Sequence, residues 1–131
     1  RMKRNEFMPF APSCLYEYAD DLFYIPKESM KFPAQFMTIT FKMKKKWAKK
    51  APAVAHVDQT ARPQLVTKEA NPKYHELLSR YYELTGLPLF INTSFNVHEE
   101  PIICTPEEAI KPLLSGVIDN LCIGDYICKL K

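Results

Sequence analysis

The sequence predicts an α/β fold: an open, twisted, mixed sheet flanked by helices, in a single domain. Strand and helix patterns alternate through the second half of the chain. Two helices there carry their own start and stop signals. The composition is that of an ordinary globular protein, with 47% hydrophobic and 25% charged residues. At 131 residues the chain is long enough to enclose a core. The formal net charge of +3 is mild and calls for neither nucleic acid nor membrane. No apolar run approaches the roughly 20 residues of a membrane-spanning helix.

The elements follow in order. Residues 1–7 are basic and read as the end of a helix. Pro9 and Pro12 bracket Phe10-Ala11, so 8–15 reads as an extended strand. Residues 16–23 form a short helix with Tyr16, Ala19, Leu22 and Phe23 on one side. Two prolines and several polar residues make 24–34 a surface loop. Alternating β-formers predict a strand over 36–43. Short strands are expected at 53–57 and 64–67, around His56 and Arg62.

Residues 71–86 carry the clearest helix. Asn71 is a good N-cap, Pro72 suits the first helical position, and Gly86 can take the left-handed stop. Tyr74, Leu77, Leu78, Tyr81, Tyr82 and Leu84 have the spacing of a buried face. An apolar strand, 87–91, comes next. Thr105-Pro106-Glu107-Glu108 is a capping box that opens a second helix, 106–115, with Pro112 in its last turn. Gly116 closes it. Two short strands, 120–124 and 126–130, divide at Gly124-Asp125.

The four cysteines, Cys14, Cys104, Cys122 and Cys128, form no C-x-x-C pair, and no histidine stands at zinc-finger spacing. No metal site is expected. Free thiols suit a reducing cytoplasm, although four cysteines could also form two bridges. Residues 42–50 hold six lysines around Trp47. They read either as a polyanion-binding patch or as a solvated element whose tryptophan packs inward.

The strongest functional signal lies at the end of the 87–91 strand. The chain turns abruptly polar at Asn92-Thr93-Ser94-Phe95-Asn96. Ligands in α/β proteins sit beyond the carboxyl ends of strands, so a small-molecule site is expected there.

Several segments together resemble the O-carbamoyltransferase family. Residues 4–13, RNEFMPFAPS, resemble its R-x-E-F-(M/R)-P-F-A-P block. Residues 56–64, HVDQTARPQ, resemble H-V-D-G-T-A-R-x-Q, and 92–102, NTSFNVHEEPI, resemble N-T-S-F-N-x-x-x-E-P-I. Thr105–Ala109 and the final Asp119…Ile123-Gly124-Asp125 fit in order. The resemblance implies a C-terminal, YrdC-like domain that uses ATP and carbamoyl phosphate as substrates to make carbamoyl adenylate. A separate actin-like domain, holding an iron ion, would then transfer the carbamoyl group to a substrate hydroxyl. No stretch matches the G-P-(R/E)-A-L-G-x-R-S block that opens such domains, so 1–131 is expected to be a partial domain.

Joining two anions at one centre requires cationic forks and hydrogen-bond donors that hold them in line. The resemblance assigns phosphate binding to Arg62, whose planar guanidinium can make two parallel bonds. The same arginine could instead pair with Asp58 or Glu69. Ser94 and Asn96, at S-x-N spacing in an extended segment, would share a face. They could bind carbamoyl or phosphate oxygens opposite Arg62, or form a turn that satisfies its own backbone. Arg62, Ser94 and Asn96 are the catalytic candidates. Arg4, Asn92 and Thr93 are further binding candidates.

Met2 and Met8 stand where many family members carry lysine and arginine, and a thioether supplies no charge. His56 reads as a core or turn histidine holding Asp58, with a general-base role as the alternative. His98 reads as a solvent-facing partner of Glu99 and Glu100. The expected partners are carbamoyl phosphate, ATP and the actin-like domain, with no membrane and no nucleic acid. A non-catalytic polyanion- or RNA-binding module, or one that docks on a partner, is the rival reading.

Overall fold

The computed structural model describes residues 10–96 and 100–130. They fall into two compact units that divide between Thr93 and Ser94.

The first unit contains six strands and four helices. The strands are β1 (Ala11–Leu15), β2 (Phe23–Tyr24), β3 (Phe41–Met43), β4 (Thr60–Ala61), β5 (Gln64–Val66) and β6 (Leu89–Asn92). The helices are α1 (Ala19–Leu22), α2 (Lys31–Ala34), α3 (Lys45–Lys50) and α4 (Pro72–Thr85). One sheet has the order β5-β1-β6 and is mixed: β1 runs parallel to β5 and antiparallel to β6. The other, β2-β3-β4, is antiparallel.

Side chains alternate across a strand, so β1 serves two cores. Cys14, with Leu65 of β5 and Leu89 of β6, packs into the larger cluster with Leu22, Phe23 and Trp47. Burial pushes the Cys14 thiol far above its ordinary pKa, so it stays protonated as a small hydrophobe. On the opposite face Leu15 and Val66 pack against Leu78 of α4.

The second unit is simpler. Helix α5 (Pro106–Leu114) packs against the hairpin of β7 (Asn120–Ile123) and β8 (Tyr126–Lys129). Ala109, Leu113 and Leu121 are its buried residues. The capping box forms as read: Thr105 accepts from the Glu108 amide, and the Glu108 carboxylate accepts from the Thr105 amide.

The α/β class and its open sheets stand, with the strands spread over three small sheets. Helix α4 also stands, with Asn71 accepting from Tyr74 N at 3.2 Å and Gly86 at φ 70°. Its buried stripe is narrower than the spacing suggests. Leu77 and Leu84 are 56% and 85% exposed, because a three-stranded sheet covers little more than one line of the helix around Leu78.

Other segments differ from expectation. Residues 53–57 are no strand; a 3-10 turn at Pro52–Val54 occupies part of them, with Pro52 at its start. The 24–34 stretch is not all loop, since it holds the end of β2, a 3-10 turn and α2. Lys31 is buried there and bonds Asp20 at 2.6 Å and Glu28 at 2.9 Å. The strand expected from 36 begins only at Phe41. Residue 37 turns left-handed, and the Thr38 hydroxyl donates to the Pro33 carbonyl at 2.8 Å, so the end of α2 is folded back first. Residues 16–23 split into a 3-10 turn, α1 and the start of β2. The helix end read at 1–7 lies outside the described residues.

The lysine block forms the end of β3 and α3, and Trp47 points inward at 4% exposure. Its indole nitrogen donates to Asp21 at 3.0 Å. The ammonium groups of Lys46 and Lys50 lie 4.8 and 5.1 Å from its ring centre. The inward-packing reading of this block therefore describes it.

Candidate functional site

Arg62 is placed by the turn before it and the sheet after it. In the turn, the His56 carbonyl accepts from Gln59 N at 2.9 Å, and His56 N donates to the Thr60 carbonyl at 2.8 Å. Closing this five-residue loop puts Gln59 at φ 65°, a left-handed position that favours glycine. The family block has glycine there; this chain has Gln59. Asp58 Oδ1 accepts from both the amide of Thr60, at 2.9 Å, and its hydroxyl, at 2.7 Å. These two bonds hold the Asp58 carboxyl below its usual range.

The same geometry fixes a tautomer. Thr60 Oγ1 lies 3.1 Å from His56 Nδ1. The hydroxyl's single proton goes to Asp58, so Nδ1 must carry the proton that spans the His56 contact. In the neutral ring Nε2 is then the acceptor. His56 is a turn histidine that reaches Asp58 through Thr60.

After β4 the chain leaves one sheet and joins the other. Arg62 and the buried Pro63 make the crossing, and Gln64 opens β5. Arg62 is exposed, and among the described residues it forms no ion pair. The pairing with Asp58 or Glu69 left open by the sequence is thus not made.

Gln64 is the functional candidate that sequence reasoning missed. Its side-chain oxygen accepts from Ser13 Oγ at 2.8 Å and from Asn92 Nδ2 at 2.9 Å. Ser13 is fully buried in the central strand. One carboxamide therefore ties together all three strands of the mixed sheet. The signal was in the sequence: Gln64 closes the H-V-D-G-T-A-R-x-Q block, a polar residue opening a short apolar strand.

Of the sequence-predicted residues, Asn92 ends β6, and Arg62 precedes β5, the strand whose Gln64 bonds Asn92. Asn92 pairs with Ala11 in β1. Ser13 pairs with Gln64 in the parallel direction, and Arg62 lies two residues before Gln64, in the crossing that precedes β5. Asn92 is further engaged by Met37, whose sulfur lies 3.6 Å from its nitrogen. Thr93 follows Asn92 and ends the first unit.

Ser94 and Asn96 belong to the second unit. They are brought together, but in a bend rather than an extended segment: Asn96 N donates to the Ser94 carbonyl at 3.1 Å. The Ser94 hydroxyl donates to the Asn96 side-chain oxygen, and Asn96 Nδ2 donates to the Glu100 carbonyl at 2.8 Å. The pair holds its own loop, with Ile103 N donating to Phe95 O at 3.0 Å. A cavity of about 600 Å³ in this unit is lined by Glu100, Ile103, Cys104, Glu108 and Lys111 among others. Glu108 is committed there to the amides of Cys104 and Thr105, which hold its carboxyl low.

Arg4, Met2, Met8 and His98 lie outside the described residues. Among the described residues no three His, Cys, Asp or Glu side chains gather as a metal ligand set. All four cysteines are free thiols, Cys14 buried and Cys104 and Cys122 exposed. No helix is long and apolar enough to cross a membrane.

Comparison with known proteins agrees with the motif pattern. An uncharacterised protein of Methanocaldococcus jannaschii is 40% identical over 97% of this chain and 24% of its own length. The nodulation protein NolNO of Sinorhizobium fredii is 37% identical over 97% of the chain and 18% of its own length. NolO of Bradyrhizobium diazoefficiens is 35% identical, with 97% and 23% covered. The chain thus spans a quarter or less of the length of these relatives. Residues 1–129 match the family described as carbamoyltransferase C-terminus. By that match across nearly every residue, the chain belongs to the carbamoyltransferase C-terminus family.

Proposed function

We propose that the chain is the part of a carbamoyltransferase that binds carbamoyl phosphate and ATP and joins them as carbamoyl adenylate. One observation carries the reading: Arg62 is exposed, has no ion-pair partner among the described residues, and stands two residues before Gln64, whose side chain bonds Asn92. A guanidinium left unpaired is suited to an anion.

The reaction balances as follows. Carbamoyl phosphate loses inorganic phosphate with uptake of one water. The carbamate oxygen bonds to the α-phosphorus of ATP, and the bond to the β-phosphate breaks with release of pyrophosphate. Arg62 would neutralise phosphoryl oxygens and hold them in line. An actin-like domain, with iron as the metal of its own transfer step, would receive the adenylate and pass the carbamoyl group to a hydroxyl. Free thiols and the use of ATP fit a reducing cytoplasm.

The test is pyrophosphate release from ATP, followed with and without carbamoyl phosphate and with and without the actin-like domain. Release is expected to require both substrates. Arg62→Ala is expected to weaken carbamoyl phosphate binding by roughly a hundredfold, the scale of a lost charge-assisted pair. If neither anion binds the unaltered protein, the proposal fails.

A further inference from the structure

Gln64 has a half left over. Its oxygen is saturated by the Ser13 hydroxyl at 2.8 Å and the Asn92 amide at 2.9 Å. Its carboxamide nitrogen, which carries two N–H donors, has no acceptor among the described residues. A buried serine and a strand-end asparagine thus fix the plane of the amide from its oxygen side. The nitrogen is left as a pre-oriented donor in a half-buried position. Such a group loses little freedom when it binds, which favours a ligand over a flexible surface glutamine.

Its place in the chain points to the ligand. Gln64 is two residues beyond Arg62, which lies in the crossing just before β5. It is bonded directly to Asn92, the first residue of the polar NTSFN stretch. A pre-oriented donor two residues from an arginine without an ion pair among the described residues matches an oxyanion.

We propose that Gln64 is a binding residue of the anion site, donating from Nε2 to a phosphoryl oxygen of the substrate that Arg62 holds. The inference rests on the reading of Arg62 as the phosphate-binding cation. It adds a neutral donor whose aim is set by Ser13 and Asn92. Gln64 has two tasks on two atoms: its oxygen secures the sheet edge and its nitrogen meets the ligand.

The two tasks separate by substitution. Gln64→Glu keeps oxygens for Ser13 and Asn92 but has no donor. Gln64→Met loses both tasks without adding charge. Ser13→Ala loosens the clamp and leaves the donor in place. Dissociation constants for carbamoyl phosphate, inorganic phosphate and ATP would be measured on the full chain by calorimetry, beside thermal unfolding.

Gln64→Met is expected to weaken the phosphate-bearing ligand that Arg62 contacts by roughly tenfold, the scale of one lost hydrogen bond to a charged group. Gln64→Glu is expected to weaken it further by repulsion, at an unfolding midpoint close to that of the parent. Ser13→Ala is expected to change affinity by less than about threefold. A purely structural Gln64 gives the reverse pattern: lower midpoints with unchanged dissociation constants, which overturns the inference. Arg62→Ala is the control for the underlying reading. If it binds as tightly as the parent, both fall; if only it loses affinity, the Gln64 role alone falls. Should Gln64→Met not fold, Gln64→Glu decides, and unchanged binding by it sinks the proposal.

Discussion

Met37 is held at φ 58° with its sulfur 3.6 Å from the side-chain nitrogen of Asn92. A methionine in left-handed backbone is uncommon, and the segment after α2 adopts it while folding back toward the mixed sheet. The contact is a weak one for a thioether, whereas the Asn92 bond to Gln64 is an ordinary amide pair at 2.9 Å. Met37→Leu is therefore expected to shift stability by less than about 1.5 kcal/mol. Asn92→Ala, which strips a donor from Gln64, is expected to cost about 1–2 kcal/mol. Urea midpoints at unchanged slope would rank the two, and the opposite order would show that the sulfur contact dominates this edge.

Gln59 offers a gain rather than a loss. Its side chain is exposed and its φ is 65°. A left-handed non-glycine residue costs roughly 1–2 kcal/mol, and glycine gives back part of that through the extra freedom of the unfolded chain. Gln59→Gly should stabilise the protein by about 0.5–1 kcal/mol, seen as a higher thermal midpoint. Destabilisation would mean that the glutamine side chain makes compensating contacts.

The Asp58–Thr60–His56 chain predicts two spectroscopic results. Nitrogen NMR should find the neutral His56 ring protonated on Nδ1, and Thr60→Val should release that preference. The Asp58 carboxyl, held below the ordinary aspartate value mainly by the Thr60 hydroxyl and then by its amide, should titrate at lower pH than a free aspartate. A lowered carboxylate adds stability that is complete above its unfolded pKa and disappears as pH falls through the folded one. The turn should hence hold at neutral pH and loosen only in acid below the ordinary aspartate range. Thr60→Val should raise the Asp58 midpoint; no change would mean that the hydroxyl bond is not the main cause.

Trp47 tests the polyanion reading of the lysine block. It is the one tryptophan in the chain, 4% exposed and bonded to Asp21, so its fluorescence reports this site alone. A single-stranded RNA homopolymer should leave that emission unchanged, because a buried indole cannot stack on bases. Trp47→Ala should cost about 3–5 kcal/mol as a core truncation. Quenching by RNA at low salt, absent after Lys46→Ala and Lys50→Ala, would restore the binding-module alternative.

Legibility followed the range of the forces involved. Helix α4 and the Thr105 capping box were readable because Asn71, Gly86, Thr105 and Glu108 act within one turn of themselves. The hairpin at Gly124-Asp125 was readable for the same reason. Residues 36–40 were misread because alternating β-formers say nothing about a chain already turned back at Met37. Lys31 was missed because its two carboxylate partners belong to no periodic pattern. Arg62 was found through its motif, but the sequence does not show that Asp58 turns to Thr60 instead of pairing with it. Gln64 was overlooked as a site residue because its partners are 51 and 28 positions away, across strands whose order the sequence does not state.

The pairing of β1 with β5 has a consequence for protein quality. Ser13 meets Gln64 and Cys14 meets Leu65, so a slip of one residue would turn Gln64 away from Ser13 and carry Leu65 out of the core. No misregistered copy can keep the Ser13–Gln64 pairing inside a sound interior. Where the proposed anion site binds its ligand, a titration's stoichiometry would count correctly threaded molecules and serve as an assay of folding itself.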